Sequence, residues 1–68
     1  MSVYKVIDII GTSPQSWEDA AASAVAKARE TLRDLRVAEV VRQDLDIGDD
    51  GGITYRIRLS VSFKYEDS

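Results

Sequence analysis

The sequence predicts a single α+β domain with the element order β-α-β-β, covering residues 1–68. Three observations carry this prediction: a β-branched run near the N-terminus, an apolar stripe at helical spacing in the middle, and strict alternation of apolar and polar residues near the C-terminus. A chain of 68 residues has room for one core and no second, so we expect no further domain.

The N-terminal half is predicted to form a strand and then a helix. Residues 3–10 are rich in β-branched side chains, and the strand is expected to end at Gly11. Residues 12–15 are expected to form a turn around Pro14, after which Ser16 caps a helix. The apolar stripe of this helix consists of Ala21, Val25, Ala28, Leu32 and Leu35. One face of a sheet can cover such a stripe.

The C-terminal half is predicted to form a long hairpin. After Arg36 the apolar period changes to two, so residues 37–47 form a strand, and the turn at 48–52 contains Asp50-Gly51, which suits positive φ. Residues 53–65 then alternate without exception. The apolar side of the first hairpin strand is expected to carry Val37, Val41, Leu45 and Ile47. Strands of about 40 Å overhang a helical stripe of about 27 Å.

Self-association is the expected supplement to a core this small. A domain of this size buries only about 60% of its unfolded surface. The chain contains no Cys and no His, which excludes disulfides, thiolate or imidazole metal sites and Ser/His/Asp catalysis. Neighbouring copies can cover the overhanging sheet, and carboxylate-bound cations such as calcium or magnesium can add to the stability.

Charge and hydropathy exclude several classes of partner. The net charge is −3 and the basic residues are scattered along the chain, so we expect no nucleic acid as partner. No apolar stretch approaches the roughly 20 residues that span a bilayer, and the N-terminus does not resemble a signal peptide, so we expect a cytoplasmic protein without membrane contact. No catalytic constellation is present in the sequence, and we predict a binding protein, not an enzyme.

Short motifs along the chain resemble those of the dodecin family. They are Gly11-Thr12-Ser13-Pro14, Ser16-Trp17-Glu18-Asp19-Ala20, Thr31-Leu32-Arg33, Ala38-Glu39-Val40-Val41, Val61-Ser62-Phe63-Lys64 and Glu66-Asp67. The resemblance implies a three-stranded antiparallel sheet wrapped around one helix, and a hollow homododecamer. It also implies storage of a small ligand, which in the best-known branch is riboflavin or FMN.

The chain departs from the flavin-binding pattern of that family at two positions. Val37 stands where the family's Trp stacks on the flavin ring, and Arg56 stands where a Gln hydrogen-bonds the ring edge. Loss of an aromatic stacking partner costs about 1–3 kcal/mol. The sequence is more similar to the calcium-binding branch, which lacks the Trp. We therefore expect calcium as the ligand, with flavin as the less favoured alternative.

Acidic residues offer candidate calcium ligands. Glu18 and Asp19 in the first helical turn supply hard oxygen donors, and Asp8 on the first strand is the third candidate. A competing interpretation is that acidic residues at a helix start only stabilise its amides and dipole. The denser cluster of Asp44, Asp46, Asp49 and Asp50 does not fit the spacing of an EF-hand and is interpreted as a solvated hairpin tip.

Basic residues share the polar face of the last strand. Arg56, Arg58 and Lys64 can bind an anionic ligand or pair with acidic residues, and pairing between subunits is the favoured interpretation. A second class of function also stays open, in which the exposed strands of the unit add to the sheet of another protein.

Overall fold

The computed structural model describes residues 2–65 and contains four elements. They are β1 (Tyr4–Ser13), α1 (Trp17–Thr31), β2 (Leu35–Ile47) and β3 (Ile53–Lys64). The sheet order is β1-β3-β2, and both pairings are antiparallel. The predicted α+β class and the order β-α-β-β are confirmed. The motif Glu66-Asp67 lies outside the described residues.

Strand β1 runs further than its sequence predicts. We expected it to end at Gly11, but it continues to Ser13, opposite Tyr55 of β3. Gly11 lies directly under α1. A Cβ atom at this position would collide with the carbonyl oxygen of Ala20 and lie 2.8 Å from the Cβ of Ala24. The missing side chain therefore lets α1 pack directly on the strand.

Helix α1 starts as predicted and ends earlier. The Ser16 hydroxyl accepts a hydrogen bond from the Asp19 backbone N–H at 2.9 Å, which confirms the predicted cap. The helix ends at Thr31 because Leu32 is already extended, and Asp34 adopts a left-handed conformation with φ 57°. The prediction that Leu35 belongs to the helical stripe is wrong, since Leu35 opens β2.

The hairpin turn and the alternation of β3 are confirmed. Gly51 has a φ of 86°, and its N–H donates to the Gly48 carbonyl at 2.9 Å. The apolar residues Ile57, Leu59 and Val61 of β3 are all buried against α1. Their polar neighbours occupy the opposite face of the sheet.

Strand β2 does not keep one apolar side. Its register against β3 shifts between Leu35 and Val37 and again between Val40 and Arg42. As a result Leu45 lies opposite Tyr55 on the helix side, whereas Val37 lies opposite Ser62 on the other face. The prediction that these two residues share a side is wrong, because each bulge reverses the alternation.

The core is small and the sheet is longer than its cover. Within residues 2–65 the buried apolar residues are Ala20, Ala28, Ile57, Leu59 and Val61. The 15-residue helix is about 22 Å long, whereas the 13-residue β2 spans about 43 Å. The predicted overhang is confirmed, and it leaves Ile47 71% exposed. Residues 2–65 contain no helix that could span a lipid bilayer.

Candidate functional site

An oriented carboxylate lies at the start of α1. The extension of β1 brings Ser13 beneath the helix, where only 3% of its surface is exposed. The Ser13 hydroxyl donates to Asp19 Oδ2 at 2.7 Å and accepts from the Gln15 backbone N–H at 3.0 Å. Strand, turn and helix thus hold the Asp19 side chain in one orientation.

The cap of α1 depends on a hydroxyl and not on the acidic side chains. Ser16 accepts the hydrogen bond from the Asp19 backbone N–H. Glu18 and Asp19 are both exposed in the first turn, at the positive end of the helix dipole. Their oxygens therefore face solvent, where they can meet a hard cation.

Asp8 lies away from this pair within one chain. It pairs with Ser60 in the β1–β3 register, on the face of the sheet opposite the helix, and its Oδ2 accepts from Arg58 Nη2 at 3.1 Å. Between residues 2 and 65 no three acidic side chains gather closely enough to hold a metal ion. Because calcium takes six to eight oxygens, a site at Glu18 and Asp19 needs ligands from water or from a second copy.

The face of the sheet away from α1 carries a two-point ion pair. Arg56 donates from Nε to Asp44 Oδ1 at 2.8 Å and from Nη2 to Asp44 Oδ2 at 3.1 Å. The hydrogen bonds from Arg56, and then its charge, lower the pKa of Asp44 from its usual 3.8. The same contact raises the pKa of Arg56. Arg56 and Arg58 form these pairs within their own chain, and the pairing between subunits stays a prediction.

The two residues predicted to stand at the family's flavin-clamp positions are far apart in one chain. Val37 is 61% exposed and lies opposite Ser62, whereas Arg56 stands six residues earlier on β3, about 20 Å away. Val37 offers no aromatic ring for stacking, and the guanidinium of Arg56 is engaged by Asp44. A pocket that used both positions would have to combine two copies of the chain.

Two contacts near the site were not anticipated from the sequence. Trp17 packs edge-on against Tyr55, with ring centroids 5.2 Å apart, and its indole N–H donates to the Asp44 carbonyl at 3.1 Å. Ser13, interpreted as a turn residue, instead orients Asp19. The only sequence signal for Ser13 is its position three residues before the capping serine, which is too common to be specific.

Comparison with known proteins identifies relatives along almost the whole chain. The family model described as Dodecin matches residues 3–66. Calcium dodecin from Mycobacterium tuberculosis is 66% identical over 64 residues, covering 94% of this chain and 90% of that protein. Dodecin from Thermus thermophilus is 39% identical over 66 residues, with 97% and 96% covered.

Solved structures agree with these sequence matches. The crystal structure of the M. tuberculosis calcium dodecin, described as a calcium-chelating immunodominant antigen with a novel calcium-binding site, has a TM-score of 0.90 at 63% identity and covers 98% of this chain and 96% of that one. Dodecin from Streptomyces coelicolor has a TM-score of 0.90 at 34% identity, covering 98% and 96%.

Proposed function

This chain belongs to the dodecin family, and from that premise we propose that it assembles into a hollow homododecamer that binds calcium. The observation that carries the calcium assignment is the 66% identity to a protein named calcium dodecin. The chain would act by holding and releasing the ion, as a storage or buffering protein, and not as an enzyme.

Uncovered apolar surface supports the assembly. Large apolar side chains are exposed on both faces of the sheet; among them are Val6, Ile10, Val37, Ile47 and Ile53. Strands β1 and β2 lie at the two edges of the sheet, so each has one side open to a neighbour. Copies of the chain that covered these surfaces would enlarge a core that one copy leaves small.

Two adjacent acidic side chains support calcium at the start of α1. Ser13 fixes the Asp19 side chain, and Glu18 stands next to it in the same exposed turn. We assign both as ligands, with the remaining oxygens supplied by water or by a neighbouring copy. Asp8 could join the site only from another copy, and Arg58 would compete with the ion for its carboxylate.

Calorimetric titration with calcium tests this assignment. Glu18→Gln and Asp19→Asn keep the shape of each side chain and remove its charge, so each should weaken binding about tenfold or more, equivalent to ~1.4 kcal/mol. Glu30→Gln makes the same charge change at the other end of α1 and should leave the affinity unchanged. Absence of calcium binding, or equal weakening by the control, would refute the site.

Riboflavin or FMN is the alternative ligand. The substitution of Val at the stacking position argues against it, since about 1–3 kcal/mol of stacking is lost there. Flavin fluorescence should therefore change little when micromolar protein is added. Strong quenching, unaffected by Glu18→Gln, would make flavin the favoured ligand.

A further inference from the structure

A cleft of about 720 Å³ opens where α1 ends and β2 begins. Its basic lining consists of Arg29, Arg33 and Arg36. Its apolar lining consists of Val25, Leu32, Leu35, Val37, Ala38 and Val61. The early end of the helix creates this space, because Asp34 turns the chain back into the sheet. The volume lies within the range of about 300–1,000 Å³ that is typical of binding pockets.

The cleft carries an excess of positive charge. Its three guanidinium groups face a single carboxylate in the lining, that of Asp34. The ion pairs formed within residues 2–65 use other cations, namely Lys27, Arg56 and Arg58. An occupant that matched this cleft would combine apolar groups for the floor with negative charge for the rim.

The hairpin tip, residues 45–53, has that combination. On its helix-facing side Leu45, Ile47 and Ile53 are 42%, 71% and 47% exposed. Helix α1 does not extend along the sheet as far as these residues and so does not cover them. The tip also contains Asp46, Asp49 and Asp50, and no basic residue occurs between Gln43 and Tyr55.

We propose that the hairpin tip of one copy docks into the cleft of a second copy. Ile47 and Ile53 would cover the apolar floor while Asp49 and Asp50 in the turn meet the arginine rim. The tip and the cleft lie at opposite ends of a molecule 51 Å long, so one copy cannot make this contact with itself. A head-to-tail contact of this kind generates closed rings when its rotation closes. The proposal rests on the self-association proposed above and names the surfaces that meet.

A small anionic molecule with an apolar body would match the same chemistry in the cleft. The hairpin tip is the better occupant because it carries apolar surface that nothing in its own chain covers. Docking would therefore bury two apolar surfaces at once.

Charge reversal tests the contact. Arg33→Glu with Arg36→Glu changes the cleft, and Asp49→Lys with Asp50→Lys changes the tip. Each double variant places like charges opposite each other. The protein concentration at which half of the chains are assembled should therefore rise at least tenfold. The four changes together restore opposite charges and should recover most of the assembly. Lys5→Glu with Lys27→Glu makes the same charge change outside the cleft and should assemble like the unaltered protein.

Native mass spectrometry and light scattering read the outcome, and circular dichroism checks that each variant is folded. Full assembly of every variant would overturn this contact and leave the proposed shell intact. Failure of the unaltered protein to associate would refute both proposals. Loss of a bound small anion in the arginine variant, with assembly retained, would assign the cleft to that ligand and overturn the docking.

Discussion

The ion pair of Arg56 and Asp44 is the best-defined polar contact on the sheet. Two hydrogen bonds, at 2.8 and 3.1 Å, join the side chains across β2 and β3. Exposed ion pairs of this type stabilise a fold only modestly, because water and salt screen the two charges. This pair therefore orients Arg56 more than it stabilises the domain.

Asp44→Asn should make stability less dependent on pH. Arg56 lowers the pKa of Asp44 in the folded state, so the unfolded chain binds the proton more readily. The stabilising contribution is complete above the usual value of 3.8 and is lost as pH falls through the lower, folded-state pKa. Urea unfolding from pH 7 to pH 2 should show the variant less stable at neutral pH and equal to the unaltered protein in acid.

The matched control for this prediction is Asp46→Asn. Asp46 lies opposite Thr54 on the same face of the hairpin, and the ion pair uses Asp44 instead. A constant stability difference across the whole pH range for Asp44→Asn would contradict the assigned ion pair.

Individual side chains were only partly predictable. The sequence placed Glu18 and Asp19 in the first helical turn because a capping serine precedes them. It could not place Ser13 under Asp19 or pair Arg56 with Asp44. Both contacts depend on how far β1 extends and on the register of β2, which is set by packing against neighbouring strands.

Close packing of α1 on β1 is the central contact between elements. Gly11 lies under the helix, and any side chain there would meet the Ala20 carbonyl and the Ala24 methyl group. The strand and helix would have to separate to admit one more carbon.

Gly11→Ala should lower the free energy of unfolding by about 1–3 kcal/mol, the usual cost of overpacking. The next residue, Thr12, is exposed, and Thr12→Ala should change stability by no more than about 0.5 kcal/mol. Urea unfolding at one fixed protein concentration measures both. Equal stability of the two variants would mean that α1 does not press on Gly11.

Ser16→Ala should cost about 1 kcal/mol, because the Asp19 N–H loses its acceptor. Ser23 is exposed in the middle of α1, so Ser23→Ala removes a hydroxyl without removing a cap. Thermal unfolding should show a lower midpoint for the first variant only. A similar midpoint for both would argue against Ser16 as the cap.

Element types were predictable and element boundaries were not. The alternation of β3 predicts a strand because its period of two continues through twelve residues. The end of α1 was missed because Asp34, and not a glycine, adopts the left-handed conformation after it. The faces of β2 were missed because a bulge leaves no clear signal in one sequence.

At the scale of the whole molecule, the two ends of the sheet complement each other. The end beside the C-terminus of α1 has an open cleft with arginines, and the far end has uncovered isoleucines with aspartates. A monomer exposes both, and larger burial per chain is available only through contact between copies. Self-association would also form composite sites, since within residues 2–65 of one chain neither the carboxylates nor the two expected clamp positions gather.

The molecular mass in dilute solution tests this view most directly. Native mass spectrometry combined with light scattering, at about micromolar protein, should report a particle of about twelve times the 7.5 kDa chain mass. The particle should be folded only while it is assembled. A chain that remains folded as a monomer at that concentration would contradict the conclusion that its core is completed by copies of itself.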